Sequence, residues 1–291
     1  MPLPIYQDQN PPLALHPLAS VQAVVAIAAG KGGVGKSSVT VNLGLALQAQ
    51  GYQVGIMDTD IYGPSIRKML PEDRLPMQKG PLIQPALCRG IKMISMAYFR
   101  KEDEATAVRA PIANGLISQF IKNVQWGALD FLLVDFPPGT GDVQLTLSQQ
   151  AHLIGALMVT TPQEVALLDV RKAMSLFEQV KVPIIGIIEN MSYYQSSEQT
   201  EPVYLFGRGG GERLACETGA PFLGCIPLDP LLCSCGDQGQ SLFALDPGAQ
   251  RPITRAFQQL AQQLAQQVAS LKIEKQQGLG LFELVWKEMA P

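Results

Sequence analysis

Gly30-Lys31-Gly32-Gly33-Val34-Gly35-Lys36-Ser37 (residues 30–37, GKGGVGKS) is the stretch that decides the fold. It fits G-x-x-x-x-G-K-[ST], the phosphate loop of nucleoside-triphosphate-binding proteins. The glycines let the backbone wrap closely, so that successive N–H groups point at phosphate oxygens. Lys36 adds a point charge for the β- and γ-phosphates, and Ser37 offers a hydroxyl to Mg²⁺. The flanks agree with the motif. Residues 21–29 (VQAVVAIAA) form an apolar run that reads as a buried strand. Residues 38–50 (SVTVNLGLALQAQ) place Val39, Leu43, Ala46 and Leu47 at helical spacing and stop at Gly51. A strand, a glycine loop and a helix N-terminus together form an anion site.

Further apolar runs follow at residues 53–58, 91–97, 131–135, 153–161, 183–189 and 222–226, with helical patterns between them at 112–124 and 165–180. Their hydrophobicity is continuous rather than alternating, which fits strands buried on both faces. The expected fold is therefore α/β: a P-loop domain over residues 21–271, with a mostly parallel sheet flanked by helices on both faces. Residues 1–20 are rich in Pro and Gln and read as an extended arm. A last helix is expected over 255–271, then a polar break, then an apolar tail at 279–286 (LGLFELVW). The tail has the composition to dock, with its own protein as the default surface ahead of a partner, and a membrane is not the expected partner.

Composition narrows the function. The net charge is −3 over 291 residues, so no broad basic surface invites nucleic acid. No apolar stretch reaches membrane-spanning length, and the N-terminus lacks the pattern of a signal peptide. Five cysteines without an export signal point to reduced thiols in a cytoplasm. With only two histidines, His16 and His152, a histidine-based metal site is not expected.

Ligands of open α/β sheets bind beyond the carboxyl ends of the strands, and the polar residues fall there. One strand ends in Asp58-Thr59-Asp60, and another in Asp135 followed by Phe136-Pro137-Pro138-Gly139-Thr140-Gly141. An apolar run closing in Asp matches a Walker B pattern, in which the carboxylate holds a Mg²⁺-bound water. Asp58 is expected near the same metal, and Asp60, just past the strand, is expected to orient the attacking water. The loop after Asp135 suits a hinge that senses the γ-phosphate. No N-K-x-D motif for guanine appears, and Asn190 offers an amide to the edge of adenine, so ATP is favoured over GTP.

Taken together, residues 30–37, 58–65 (DTDIYGPS), 135–147 (DFPPGTGDVQLTL), 161–172 (TPQEVALLDVRK), 189–193 (ENMSY), 206–214 (FGRGGGERL) and 227–230 (PLDP) resemble the Mrp/ApbC family of iron–sulfur cluster carrier ATPases, relatives of MinD. The resemblance runs from about residue 20 to 270. It implies a cytoplasmic homodimer with slow Mg-dependent ATPase activity and iron–sulfur apo-proteins as acceptors. It assigns Lys31 a reach to the partner's phosphates, and it supports Asp60 and Asp135 as switch residues and Asn190 as an adenine contact. The expected nucleotide shell is Gly30, Lys31, Gly32, Gly33, Val34, Gly35, Lys36, Ser37, Ser38, Asn190 and Pro227. Catalysis is expected from Lys31, Lys36 and Asp60, and Mg²⁺ ligation from Ser37, Asp58 and Asp135.

One departure stands out. After N-M-S-Y the family carries Cys-x-x-Cys, which holds a cluster between two subunits; here residues 194–200 read YQSSEQT. Thiolates are the usual ligands for such a cluster, which would be of the [4Fe-4S] type. Cys233 and Cys235, in what reads as a Gly/Asp-rich loop (LLCSCGDQGQS), offer two thiolates per subunit and four per dimer; the other reading is two unrelated thiols. The competing function is a MinD-like regulatory or positioning ATPase that has lost cluster binding.

Overall fold

The computed structural model describes residues 17–60, 63–99, 110–139, 141–195 and 201–276. The chain runs β1 (Val21–Ala28), α1 (Lys36–Ala49), β2 (Val54–Asp58), α2 (Ile66–Met69), β3 (Met77–Lys79), β4 (Leu82–Gln84), β5 (Ala86–Cys88) and β6 (Ile91–Ser95). A 3₁₀ turn, Met96–Phe99, follows. Then come α3 (Ala110–Asn123), β7 (Leu129–Asp135), α4 (Asp142–Gln150), β8 (Gly155–Thr160), α5 (Glu164–Gln179), β9 (Ile184–Glu189), α6 (Gly210–Thr218), β10 (Phe222–Cys225), α7 (Pro230–Gln238), α8 (Leu242–Leu245) and α9 (Pro252–Gln276).

The main sheet has the order β10-β9-β8-β1-β7-β2-β6-β5. Its pairs are parallel except β5 with β6. β1 lies inside the sheet, between β7 and β8. After β7 the chain crosses β1 and builds β8, β9 and β10 on the far side, so the crossing point lies at β1. Because these strands are parallel, Ala28, Asp58, Asp135, Thr160 and Glu189 all end at one edge. That is the edge at which ligands of such sheets bind.

Successive side chains of a strand point to opposite faces, and both faces are covered. Val25 and Ile27 of β1 pack into a core with Leu43 and Leu47 of α1 and Phe257 and Leu264 of α9. Val24, Ala26 and Ala28 pack into a second core with Phe120 of α3, Leu147 of α4 and Val170 of α5. Each fully buried Val, Leu, Ile or Phe among them contributes about 1.5–3 kcal/mol. Burial on both faces is why these strands read as unbroken apolar runs.

Three sequence expectations are corrected in detail. The last helix begins at Pro252 and continues to Gln276, through the stretch expected to be a polar break. Lys, Glu and Gln propagate a helix as well as most residues, so polarity alone does not end one. The stretch holding Cys233 and Cys235 is helix α7, not a loop. Residues 17–20 do not extend away as an arm: they turn into β1, with Leu18 in the core and Ser20 Oγ donating to the Gly127 carbonyl. Residues 1–16 and the apolar tail at 279–286 lie outside the described residues.

Candidate nucleotide site

The phosphate loop joins the end of β1 to α1, whose first residue is Lys36. Gly33 and Gly35 have φ of +84° and +81°, the left-handed region that side chains disfavour. Gly30 is required for another reason. A Cβ there would stand 2.0 Å from the backbone carbonyl carbon of Asp169, so the loop begins in direct contact with α5.

Asp135, at the end of β7, gathers the site. Its Oδ2 accepts from Lys36 Nζ and from Ser37 Oγ, each at 2.7 Å, and its Oδ1 accepts from Thr40 Oγ1 at 2.7 Å. Its backbone carbonyl accepts from Thr59 N and Thr59 Oγ1. Asp58 is its register partner on β2, and both carboxylates are fully buried. Ser95 Oγ and the Asp60 amide donate to the two oxygens of Asp58 at 2.8 and 3.2 Å. Burial above all, with the neighbouring Asp135 charge, pushes the Asp58 carboxyl up to about 7. The Ser95 and Asp60 hydrogen bonds and the Lys36 charge oppose that rise.

Chemically this is a cluster of hard oxygens beside a lysine. A hydroxyl and two carboxylates at the mouth of a helix N-terminus suit Mg²⁺, which keeps several waters and takes few protein ligands. The structure brings Ser37 onto Asp135, with Asp58 in register beside Asp135. Asp60 is half-buried, and its Oδ1 accepts from Gly63 N at 3.1 Å. Lys31 is half-exposed on the rim of the loop. Gly32 is exposed and Val34 buried. Ser38 Oγ turns aside to Met69 Sδ at 3.6 Å. Two groups were missed by motif reading: Thr40, one helical turn after Lys36, and Ser95, at the end of β6. The spacing of Lys36 and Thr40 was a usable signal; Ser95 lies in no motif.

A family model described as the ParA group's NUBPL iron-transfer P-loop NTPases matches residues 20–265. This chain belongs to that family. It is 43% identical over 252 residues to an iron–sulfur cluster carrier protein of Synechocystis sp., a match covering 84% of this chain and 71% of that protein. It is 46% identical over 244 residues to an iron–sulfur cluster carrier protein of Haemophilus influenzae, covering 83% of this chain and 65% of the relative. Among solved structures, it superposes on a nucleotide-binding protein from Archaeoglobus fulgidus in complex with ADP. The TM-score is 0.68 and the identity 38%, over 77% of this chain and 88% of that one.

Within this P-loop NTPase, Asn190 follows β9 and its Nδ2 donates to the Val34 carbonyl at 2.8 Å, tying the loop after β1 to the end of a strand two places away in the sheet. Pro227 is buried beside the same segment, flanked by Ser192 N to Ile226 O and Leu228 N to Tyr193 O. Glu189 is absorbed structurally: it accepts from Gly211 N at the start of α6 and from Ser192 Oγ.

The thiols do not gather. Cys233 is exposed on α7 and Cys235 is buried. Two residues apart on a helix, their side chains point about 200° apart. Cys88 is buried on β5, Cys225 half-buried on β10 and Cys216 exposed on α6. Among the described residues no group of three or more His, Cys, Asp and Glu side chains stands ready to hold a metal ion.

Proposed function

We propose that the chain is a nucleotide-driven iron–sulfur cluster carrier that binds Mg·ATP, hydrolyses it slowly and uses the cycle to change the geometry of a homodimer. The observation that carries the nucleotide half is the convergence of Lys36, Ser37 and Thr40 on the Asp135 carboxylate, with Asp58 in register beside it. Hydrolysis in such sites depends on positioning and charge more than on a strong base. The roles follow. Lys36 and the loop amides hold the phosphates, Ser37 with Asp135 and Asp58 holds Mg²⁺ partly through water, and Asp60 orients the attacking water. Gly30 to Ser38, Asn190 and Pro227 line the nucleotide.

The homodimer is supported by what surrounds the loop. Val165 and Leu168, on the first turns of α5, are 64% and 57% exposed. α5 is also the helix against which Gly30 packs. An apolar rim beside a phosphate site suits a partner that closes over the nucleotide, with Lys31 reaching across.

The cargo is the cluster, supported by the family and by relatives named as cluster carriers. As folded, Cys233 and Cys235 are not arranged to chelate together, and α7 has to rearrange before both thiols share a cluster. Cytoplasmic residence and apo-protein acceptors complete the reading. The experiment is ATP hydrolysis by wild type and Lys36→Ala, alongside anaerobic reconstitution with iron and sulfide of wild type and the Cys233→Ser/Cys235→Ser variant. Hydrolysis lost in Lys36→Ala and iron lost in the cysteine variant support the whole reading. Hydrolysis without any cluster favours the MinD-like alternative.

A further inference from the structure

The loop that carries Asp60 is fastened at both ends to one short segment, Ser95–Tyr98. At its start, Ser95 Oγ donates to Asp58 and itself accepts from the Ala97 amide. At its far end the loop runs into α2. There Arg67 donates through Nε and Nη2 to the Glu72 carboxylate at 2.8–3.3 Å. The Arg67 guanidinium also lies 5.0 Å from the centre of the Tyr98 ring, and Tyr98 OH donates to Glu72 Oε2 at 3.5 Å.

Arg67 is 36% exposed, so this ion pair contributes little to stability. Its geometry is what distinguishes it. A forked guanidinium both bonded to a carboxylate and laid over a ring has one orientation, which a lysine does not reproduce. We propose that Arg67 and Tyr98 are positioning residues for ATP hydrolysis: by holding α2 on the Ser95–Tyr98 segment, they fix the far anchor of the loop that presents Asp60. The proposal rests on the role assigned to Asp60 under the proposed function.

The test is steady-state ATP hydrolysis and Mg·ADP affinity for Arg67→Ala, Arg67→Lys and Tyr98→Phe, each alone and combined with Asp60→Asn. Arg67→Ala is expected to lower kcat by about tenfold, since small misplacements of a reacting group are costly, while the Mg·ADP Kd stays within about twofold. Arg67→Lys recovers only part of the loss, and Tyr98→Phe, which keeps the stack, loses less than Arg67→Ala. In the Asp60→Asn background Arg67→Ala produces no further fall, because both changes act through one group. Should Arg67→Ala not fold, the Arg67→Lys and Tyr98→Phe pair carries the same comparison. Wild-type kcat in folded Arg67→Ala, losses that multiply with Asp60→Asn, or a Kd that rises in step with the fall in kcat would each overturn the proposal. Asp60→Asn hydrolysing at the wild-type rate would sink the Asp60 reading and this inference together. A slow Asp60→Asn beside an unaffected Arg67→Ala would sink only the inference.

Discussion

Asp58 and Asp135 stand opposite each other in register on β2 and β7, both without solvent exposure. Two buried carboxylates side by side are a costly arrangement unless a cation or protons offset their charge. Lys36 supplies one positive charge, on Asp135. A phosphate-bound Mg²⁺ would supply more, and its binding would make the fold and the nucleotide site energetically interdependent.

That interdependence gives a pH prediction for the metal-free protein. Asp58 is raised from 3.8 to about 7, mainly by burial. Between those values the folded chain keeps a proton that the unfolded chain has released, so this group's contribution to stability falls as pH rises and is at its least favourable above about 7. Asp58→Asn should therefore raise the melting temperature relative to wild type at about pH 8 in chelator, and lose that advantage near about pH 4. Thermal melts across the range check this; a difference independent of pH would contradict it.

Removing Lys36 should hurt the fold more than removing its partner. At about pH 8, where Asp58 is ionised too, Lys36→Ala leaves two buried carboxylates uncompensated, a loss of about 3–5 kcal/mol. Asp135→Asn removes one of those charges and relieves Asp58, so its cost to stability is smaller, although both variants lose Mg·nucleotide binding. Urea unfolding of the two variants ranks them.

Gly30→Ala and Gly32→Ala form a matched pair. The new methyl at position 30 meets the backbone of Asp169 at 2.0 Å, whereas at position 32 nothing lies within 4 Å. Overpacking of this kind costs about 1–3 kcal/mol. Gly30→Ala is expected to lower the melting temperature and displace the loop from α5; Gly32→Ala is expected to melt like wild type.

The cysteines should react in order of exposure. Cys233 and Cys216 are exposed, while Cys88 and Cys235 are buried. Burial pushes the Cys88 thiol up to about 12, with the Glu72 and Asp73 charges adding to the rise. Timed alkylation with mass spectrometry is expected to label Cys233 and Cys216 first and Cys88 and Cys235 only on unfolding. Labelling of Cys235 as fast as Cys233 would mean that α7 opens in solution.

Much of this was legible because the informative residues are punctual. The loop at 30–37 is fixed by glycine conformation and a lysine, and the strand ends announce themselves where apolar runs close in Asp58 and Asp135. What was missed had weaker local chemistry. α7 reads as a loop because of Gly236 and Asp237. Yet Asp229 accepts from Leu231 N as an N-cap, Pro230 opens the helix and Gly239 closes it in the left-handed conformation, and these signals outweigh composition. β3, β4 and β5 have three residues each, too few to show a period. Thr40 is signalled only by its one-turn spacing from Lys36, and Ser95 owes its role to tertiary placement against Asp58, which no linear motif records.

The central claim is that the lysine turn and the two buried carboxylates form one magnesium–nucleotide site. Calorimetric titration of Mg·ATP into wild type and Lys36→Ala tests it most directly. The structure predicts one saturable site per chain in wild type and none in Lys36→Ala. Absence of binding in wild type, or equal affinity in the two proteins, would contradict it.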